Sequence, residues 1–136
     1  MPTVDELNHF LATEFPQSKC SVERCGDLRA TVRRKITHAD LRPGDTVSGP
    51  VMMEVADNAI YVALLAEIGI EPMAVTATLT INYLRKPSAT RDLIGECRLL
   101  KVGRTLATGE VLVYSDGEPA PVAQATGTYA LPRRRG

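Results

Sequence analysis

The sequence predicts an α+β fold in which an antiparallel sheet wraps against one long apolar helix. Three observations carry this expectation. Residues 50–68 are almost all apolar or small and are closed by Gly69. Four strand-like segments follow, parted by "RKPSAT", "VGR" and "SDGEPAP", all of which are turn chemistry. A hairpin of alternating polarity comes before the helix. Hairpin, dominant helix and a run of strands is the order expected of α+β layers.

The first predicted element is a helix over residues 4–14. Thr3 and Glu6 have capping-box spacing, Val4, Leu7, Phe10 and Leu11 form an apolar stripe, and Pro16 halts the helix. Arms over 21–25 and 28–36 then flank the turn pair Gly26-Asp27. Within the second arm, Leu28, Ala30, Val32, Arg34 and Ile36 share one face and Arg29, Thr31, Arg33 and Lys35 the other. "LRPGDTVSGP" reads as a turn, a short extended piece over 45–48 and a helix start. Pro50 suits the first helical position, where its missing N–H would find no intrahelical partner, and this makes Gly49 the expected N-cap. The helix spans 50–68, with Gly69 as its C-terminal stop. Ala56, Ala59, Ala63 and Ala66 lie on one stripe, small enough to let the helix approach the sheet. Strands over 74–84, 92–102, 104–115 and 122–131 complete the chain, and antiparallel pairing of consecutive strands is the simple expectation.

The 136 residues fit one domain, 1–136, ending in a tail at 132–136. Sixteen basic residues balance sixteen acidic ones, so nothing points to nucleic acid or an anionic membrane as partner. The basic run Arg133, Arg134 and Arg135 reads as a solvated tail. "MPTVDELNHF" lacks the basic and apolar regions of a signal peptide, and residues 51–65 are too short and polar to span a membrane; a cytoplasmic protein is expected. Cys20, Cys25 and Cys97 are odd in number and read as ordinary strand thiols. With only His9 and His38 available, they make a poor zinc pattern, and no metal is expected.

Asp57 is the residue that does not suit a core helix. It lies seven residues after Pro50, about two turns in and beyond the reach of the helix dipole. Its helical neighbours are Met53, Glu54, Ile60 and Tyr61, and the helix offers no basic partner. Such a carboxylate either faces solvent or caps a neighbouring loop, or it is set in a groove for reaction. Gly49 adds to the second reading, because a glycine at a helix N-terminus admits a ligand to the backbone N–H, a site for an oxyanion. Other constellations are poor: neither histidine pairs with a serine or cysteine motif, and "KVGRTLATGE" lacks the spacing of a phosphate loop.

"LRPGDTVSGPVMMEVADNAIYVALLAEIGI", "AVTATLTINYLRKP" and "KVGRTLATGEVLVYSDGEPAPVAQATGTYALP" together resemble the hot-dog fold acyl-CoA thioesterases, and among them the phenylacetate-degradation type. The resemblance covers roughly residues 41–132. It implies a hot-dog fold and hydrolysis of a small or medium acyl-CoA, aliphatic or aromatic, with no cofactor beyond the coenzyme A of the substrate. Asp57 falls on the family's catalytic acid, which acts as nucleophile or as general base for water. Gly49 falls on the residue whose N–H polarises the thioester carbonyl, and Thr76 on a hydroxyl that orients the attacking water. Ser48 and Pro50 stand where the family has a histidine and a second glycine and are candidate substrate-binding residues, as is Arg42, which stands near a frequent asparagine and could contact the thioester carbonyl or a coenzyme A phosphate. Arg85, Lys86 and Arg104 are placed to meet the phosphates of coenzyme A. Tyr61 is a candidate pocket residue, as are Met52, Met53, Leu64 and Leu65, all of which could equally be core. The resemblance also implies a homodimer joined edge to edge, with Gly49 of one subunit facing Asp57 of the other, and pairing of such dimers into tetramers.

Two function classes are therefore open: an acyl-CoA thioesterase, and a non-catalytic hot-dog module that binds acyl-CoA or another ligand. A hydratase would need a histidine at the long helix, and His9 and His38 lie in other elements.

Overall fold

The computed structural model describes residues 1–132. The basic run Arg133–Arg135 and all of the 132–136 tail except Pro132 lie outside the described residues. Helix α1 spans Val4–Glu14, and the reciprocal Thr3–Glu6 capping box closes its N-terminus. Its apolar stripe packs inward, with Leu7, Phe10 and Leu11 buried.

Strands β1 (Cys20–Gly26) and β2 (Arg29–Arg34) pair as an antiparallel hairpin. The turn pair is Asp27-Leu28 rather than Gly26-Asp27. Both residues are left-handed, with φ of 54° and 63°, and two such residues in succession give the turn that matches strand twist. Leu28 is held in this uncommon conformation by bonds at both ends: its N–H donates to Glu67 Oε1 at 2.7 Å, and its carbonyl accepts from Leu99 N at 2.7 Å. The alternation expected for the second arm holds within the strand, where Ala30, Val32 and Arg34 are buried.

A single 3-10 turn (His38–Asp40) leads to the short pair β3 (Leu41–Arg42) and β4 (Thr46–Val47). Helix α2 spans Gly49–Ile68, with Ser48 as N-cap, so Gly49 is the first helical residue and not the cap. Ser48 is extended (φ −69°, ψ 152°), and Pro50 fits one position further in because a backbone N–H is dispensable throughout the first turn. Gly69 caps the C-terminus at φ 94°.

Strands β5 (Val75–Tyr83), β6 (Leu93–Val102), β7 (Leu106–Ser115) and β8 (Ala123–Ala130) complete one six-stranded antiparallel sheet in the order β1-β2-β6-β7-β8-β5. Consecutive pairing holds for β6, β7 and β8, but β5 pairs with β8 at the far edge. A strand that follows a helix across the sheet is free to join the opposite edge, and the later strands then fill the middle. Helix α2 lies along the inner face and forms the core with β1, β2, β6, β7 and β8. Among the described residues, no helix is long and apolar enough to cross a membrane.

Candidate active site

The start of α2 leaves one backbone donor unused. Val51 N and Met52 N both donate to Ser48 O, at 3.2 and 3.4 Å, and Pro50 has no N–H. Gly49 N–H has no acceptor among the described residues, at the positive end of a twenty-residue helix. Tyr83, from the end of β5, covers this glycine. Its hydroxyl donates to Gly49 O at 3.1 Å, and a Cβ on Gly49 would meet its ring and hydroxyl at 3.1 Å. The absence of a side chain is what permits this approach.

Asp57 lies eight residues along the same helix, half-buried. Thr76 Oγ1, on β5, donates to Asp57 Oδ1 at 2.7 Å, and Tyr129 Oη, on β8, donates to the same oxygen at 2.8 Å. Tyr129 Oη also lies 3.1 Å from the Asp57 carbonyl. Burial, with the Asp57 charge beside it, pushes the Tyr129 phenol well above its ordinary range, so it remains a donor. The neighbouring Asn58 is committed to structure: it accepts from Ser18 Oγ at 2.8 Å and donates to Glu54 O at 2.9 Å.

These two centres open on different cavities. One, of about 290 Å³, is lined by Asp57, Tyr61, Thr76 and Tyr129 together with Phe10 and Phe15. The other, of about 550 Å³, is lined by Gly49, Met52, Tyr83, Arg42, Arg85 and Lys86. Eight helical residues separate Gly49 from Asp57 by roughly 12 Å along the axis, too far for one carbonyl to touch both.

The expected site residues therefore divide into two groups. Asp57, Tyr61 and Thr76 gather at one cavity, and Gly49, Arg42, Arg85 and Lys86 at the other. Ser48 is the N-cap and lines neither cavity; Pro50 is exposed and also lines neither. Arg104 precedes β7 at the end of the sheet where Leu106, Ala130 and Val75 align, whereas Arg85 and Lys86 follow Tyr83 at the other end. Arg85 is oriented by a bond to Pro121 O at 2.6 Å. Of the further pocket candidates, Met52 lines the Gly49 cavity, Met53 is exposed, and Leu64 and Leu65 are core.

Sequence reasoning missed Tyr129, Phe10, Phe15 and Tyr83. Tyr129 is separated from Asp57 by 72 positions and reads only as a residue of the last strand. The aromatic wall is continuous, with the Tyr61 ring stacked on Tyr129 at 5.9 Å and edge-on to Phe15 at 6.2 Å. Among the described residues, no group of three or more His, Cys, Asp or Glu side chains is placed to hold a metal ion. Burial pushes the Cys20 and Cys97 thiols up to about 12, so neither supplies a thiolate near neutral pH.

Comparison with known proteins gives a consistent picture. The family profile described as thioesterase superfamily matches residues 44–121. A candidate thioesterase from a Silicibacter species is 43% identical, covers 96% of this chain and 92% of its own, and superposes with a TM-score of 0.87. The zebrafish thioesterase superfamily member 2 is 21% identical over 97% of this chain and 100% of its own, with a TM-score of 0.83. A variant of a phenylacetic acid degradation protein from Thermus thermophilus is 23% identical over 88% of this chain and 98% of its own, with a TM-score of 0.74. The last two likenesses speak to the fold alone. No curated protein sequence matches the chain.

Proposed function

The chain belongs to the thioesterase superfamily and has its hot-dog fold, and on that premise we propose that it is an acyl-CoA thioesterase working as a homodimer. The observation that carries this reading is the pair formed by a Gly49 N–H without an acceptor among the described residues and an Asp57 carboxylate held by Thr76 and Tyr129, each at its own cavity. Attack on a thioester needs an oxygen nucleophile on one side of the carbonyl and a donor for the oxygen that becomes negative. Asp57 supplies the first, either by attacking the carbonyl carbon or by taking a proton from the water that does. Gly49 N–H supplies the second. The C–S bond breaks, the thiolate of coenzyme A leaves and is protonated, and water provides the second oxygen of the free acid.

The distance between the two groups within one chain is what calls for a second subunit. Strand β5 offers an open edge of nine residues, and its midpoint is Leu79. Antiparallel pairing of two copies about Leu79 sets Val75 opposite Tyr83 of the partner subunit. Thr76 and Asp57 then lie beside the partner's Tyr83 and Gly49. The same pairing brings Arg104 to the end of the joined sheet that carries the partner's Arg85 and Lys86. Four cations, including Arg42, would then surround the entry for the coenzyme A phosphates, and none of the four is in a salt bridge among the described residues.

The test is release of free coenzyme A from a panel of aliphatic and aromatic acyl-CoAs. Asp57→Asn is expected to lower kcat about 1,000-fold, as loss of a general base or nucleophile does, with the fold retained. Full activity in that variant would overturn the site. One observation favours a second reading, the non-catalytic module: Ser48 and Pro50 supply neither the imidazole nor the second N–H of the family pattern. Tight acyl-CoA binding by the wild type with no turnover of any substrate would establish it.

A further inference from the structure

Taking the thioesterase reading as given, we propose that Tyr129 is a positioning residue for Asp57, and that Asp57 Oδ2 is the oxygen that meets the water or the thioester. The two hydroxyl donors converge on one atom: Thr76 Oγ1 and Tyr129 Oη both lie on Oδ1, at 2.7 and 2.8 Å. No hydrogen bond is made to Oδ2 among the described residues, so its lone pairs are unengaged at the cavity that Asp57 lines. A carboxylate gripped twice through one oxygen loses the rotation of its terminal torsion, and the other oxygen is aimed.

Tyr129 is built to hold that aim. It is 3% exposed on the inner face of β8, with its ring stacked 5.9 Å from Tyr61. The Oη atom cannot move away from Oδ1 without disturbing the stack, although its proton can turn about the C–O bond. The second acceptor within its reach, the Asp57 carbonyl at 3.1 Å, belongs to the same residue, so either bond ties β8 to this turn of α2. The ionised carboxylate is the stronger acceptor of the two. Thr76 comes from β5, the edge strand. Tyr129 comes from the interior of the sheet, so it keeps the carboxylate placed whether or not the edge is paired.

The experiment compares Tyr129→Phe, Thr76→Val and the double variant with the wild type. Tyr129→Phe keeps the ring and its stack and removes only the hydroxyl. It is expected to lower kcat about 10- to 100-fold, the scale of a misplaced reacting group, with KM for acyl-CoA within about twofold. The double variant is expected to lose less than the product of the two single losses, since both groups hold one oxygen. A second readout needs no turnover: the Tyr129 hydroxyl proton should appear by NMR as a slowly exchanging downfield resonance, and it should move upfield in Asp57→Asn. Unchanged kcat in Tyr129→Phe, a loss confined to KM, or a hydroxyl resonance indifferent to Asp57→Asn would each overturn the proposal. If the wild type hydrolyses no acyl-CoA, the thioesterase reading fails by itself, and the NMR comparison alone decides whether Tyr129 holds Asp57.

Discussion

Arg34 is a charged side chain on the core face of β2, only 3% exposed, and its partners explain how it stays there. Its guanidinium forks onto Asp40 at 2.9 and 3.0 Å, reaches Glu54 on α2 at 3.3 Å, and donates to Lys35 O at 2.7 Å. Asp40 also accepts from Thr37 N at 2.8 Å, and its carbonyl accepts from Ser48 N at 3.0 Å, so the pair sets the loop that delivers the N-terminus of α2. The Arg34 hydrogen bond, ahead of the other influences, lowers the Asp40 carboxyl from 3.8 to about 2. The folded-state value lies below the unfolded one, so this stabilisation is complete above about pH 4 and is lost as pH falls from 3.8 towards 2. It is on the order of 2 kcal/mol. Circular dichroism against pH should therefore show the wild type weakening across that window. Asp40→Asn should be destabilised by about 3 kcal/mol at neutral pH, where the buried Arg34 loses its forked partner and keeps only the 3.3 Å contact with Glu54 as an ion pair, and should lack this part of the acid loss. Alternation alone placed Arg34 on the inner face with Ala30 and Val32. Its partner was not readable, because a salt bridge leaves no periodic trace. The same holds for Asp57: its isolation within the helix was legible, Thr76 was named as a site hydroxyl only through the family resemblance, and Tyr129, 72 positions away, was not named.

At the scale of elements, the contact between α2 and the sheet depends on small residues from both sides. Ala56, Ala59 and Ala63 are fully buried and Ala66 nearly so, as the stripe on the helix predicts. The sheet answers with Gly95 and Gly127, which the sequence reading did not single out. A Cβ on Gly95 would come within 2.8 Å of Val55 Cγ1 and 3.4 Å of Ala59 Cβ. Val55 is β-branched and fully buried in a helix, so a change of its χ1 rotamer is disfavoured. Gly95→Ala is expected to cost about 1–3 kcal/mol through overpacking, measured as a lower urea midpoint. Local signals located the elements well: the capping box of α1, Gly69 after α2, and the turns between β6, β7 and β8. They failed where two local rules competed. Pro50 is compatible with either the first or the second helical position, so proline chemistry alone could not choose between Gly49 and Ser48 as cap. Gly26 and Leu28 competed for the turn, and the long-range bonds of Leu28 to Glu67 and Leu99 decided it.

For the molecule as a whole, the two edges of the sheet are treated differently. The β1 edge is closed by Asn8 of α1, whose amide donates to Val22 O at 3.0 Å and accepts from Val22 N at 2.7 Å. The β5 edge is a long, largely exposed strand carrying Val75 and Tyr83, at 56% and 49% exposure, a template for another strand. If two copies share each site across that edge, chains carrying Asp57→Asn and chains carrying Gly49→Val, whose branched side chain would press on Tyr83 and block the approach to the retained N–H, are both expected to be inactive alone. Unfolding and refolding an equal mixture should then restore about a quarter of wild-type activity, because half the dimers are mixed and each of those has one intact site. No recovery on mixing, or a stable monomer in sedimentation, would remove the shared site. The sequence by itself determined the α+β class, the burial of α2 and the oddity of an acid within it, because periodicity, capping and turn chemistry act over a few residues. The tertiary structure alone decided that β5 lies at the open edge, that Tyr129 and Thr76 grip one oxygen of Asp57, and that Gly49 and Asp57 open on separate cavities. Those are consequences of strand order and register, which join residues tens of positions apart and leave no signal within any single segment.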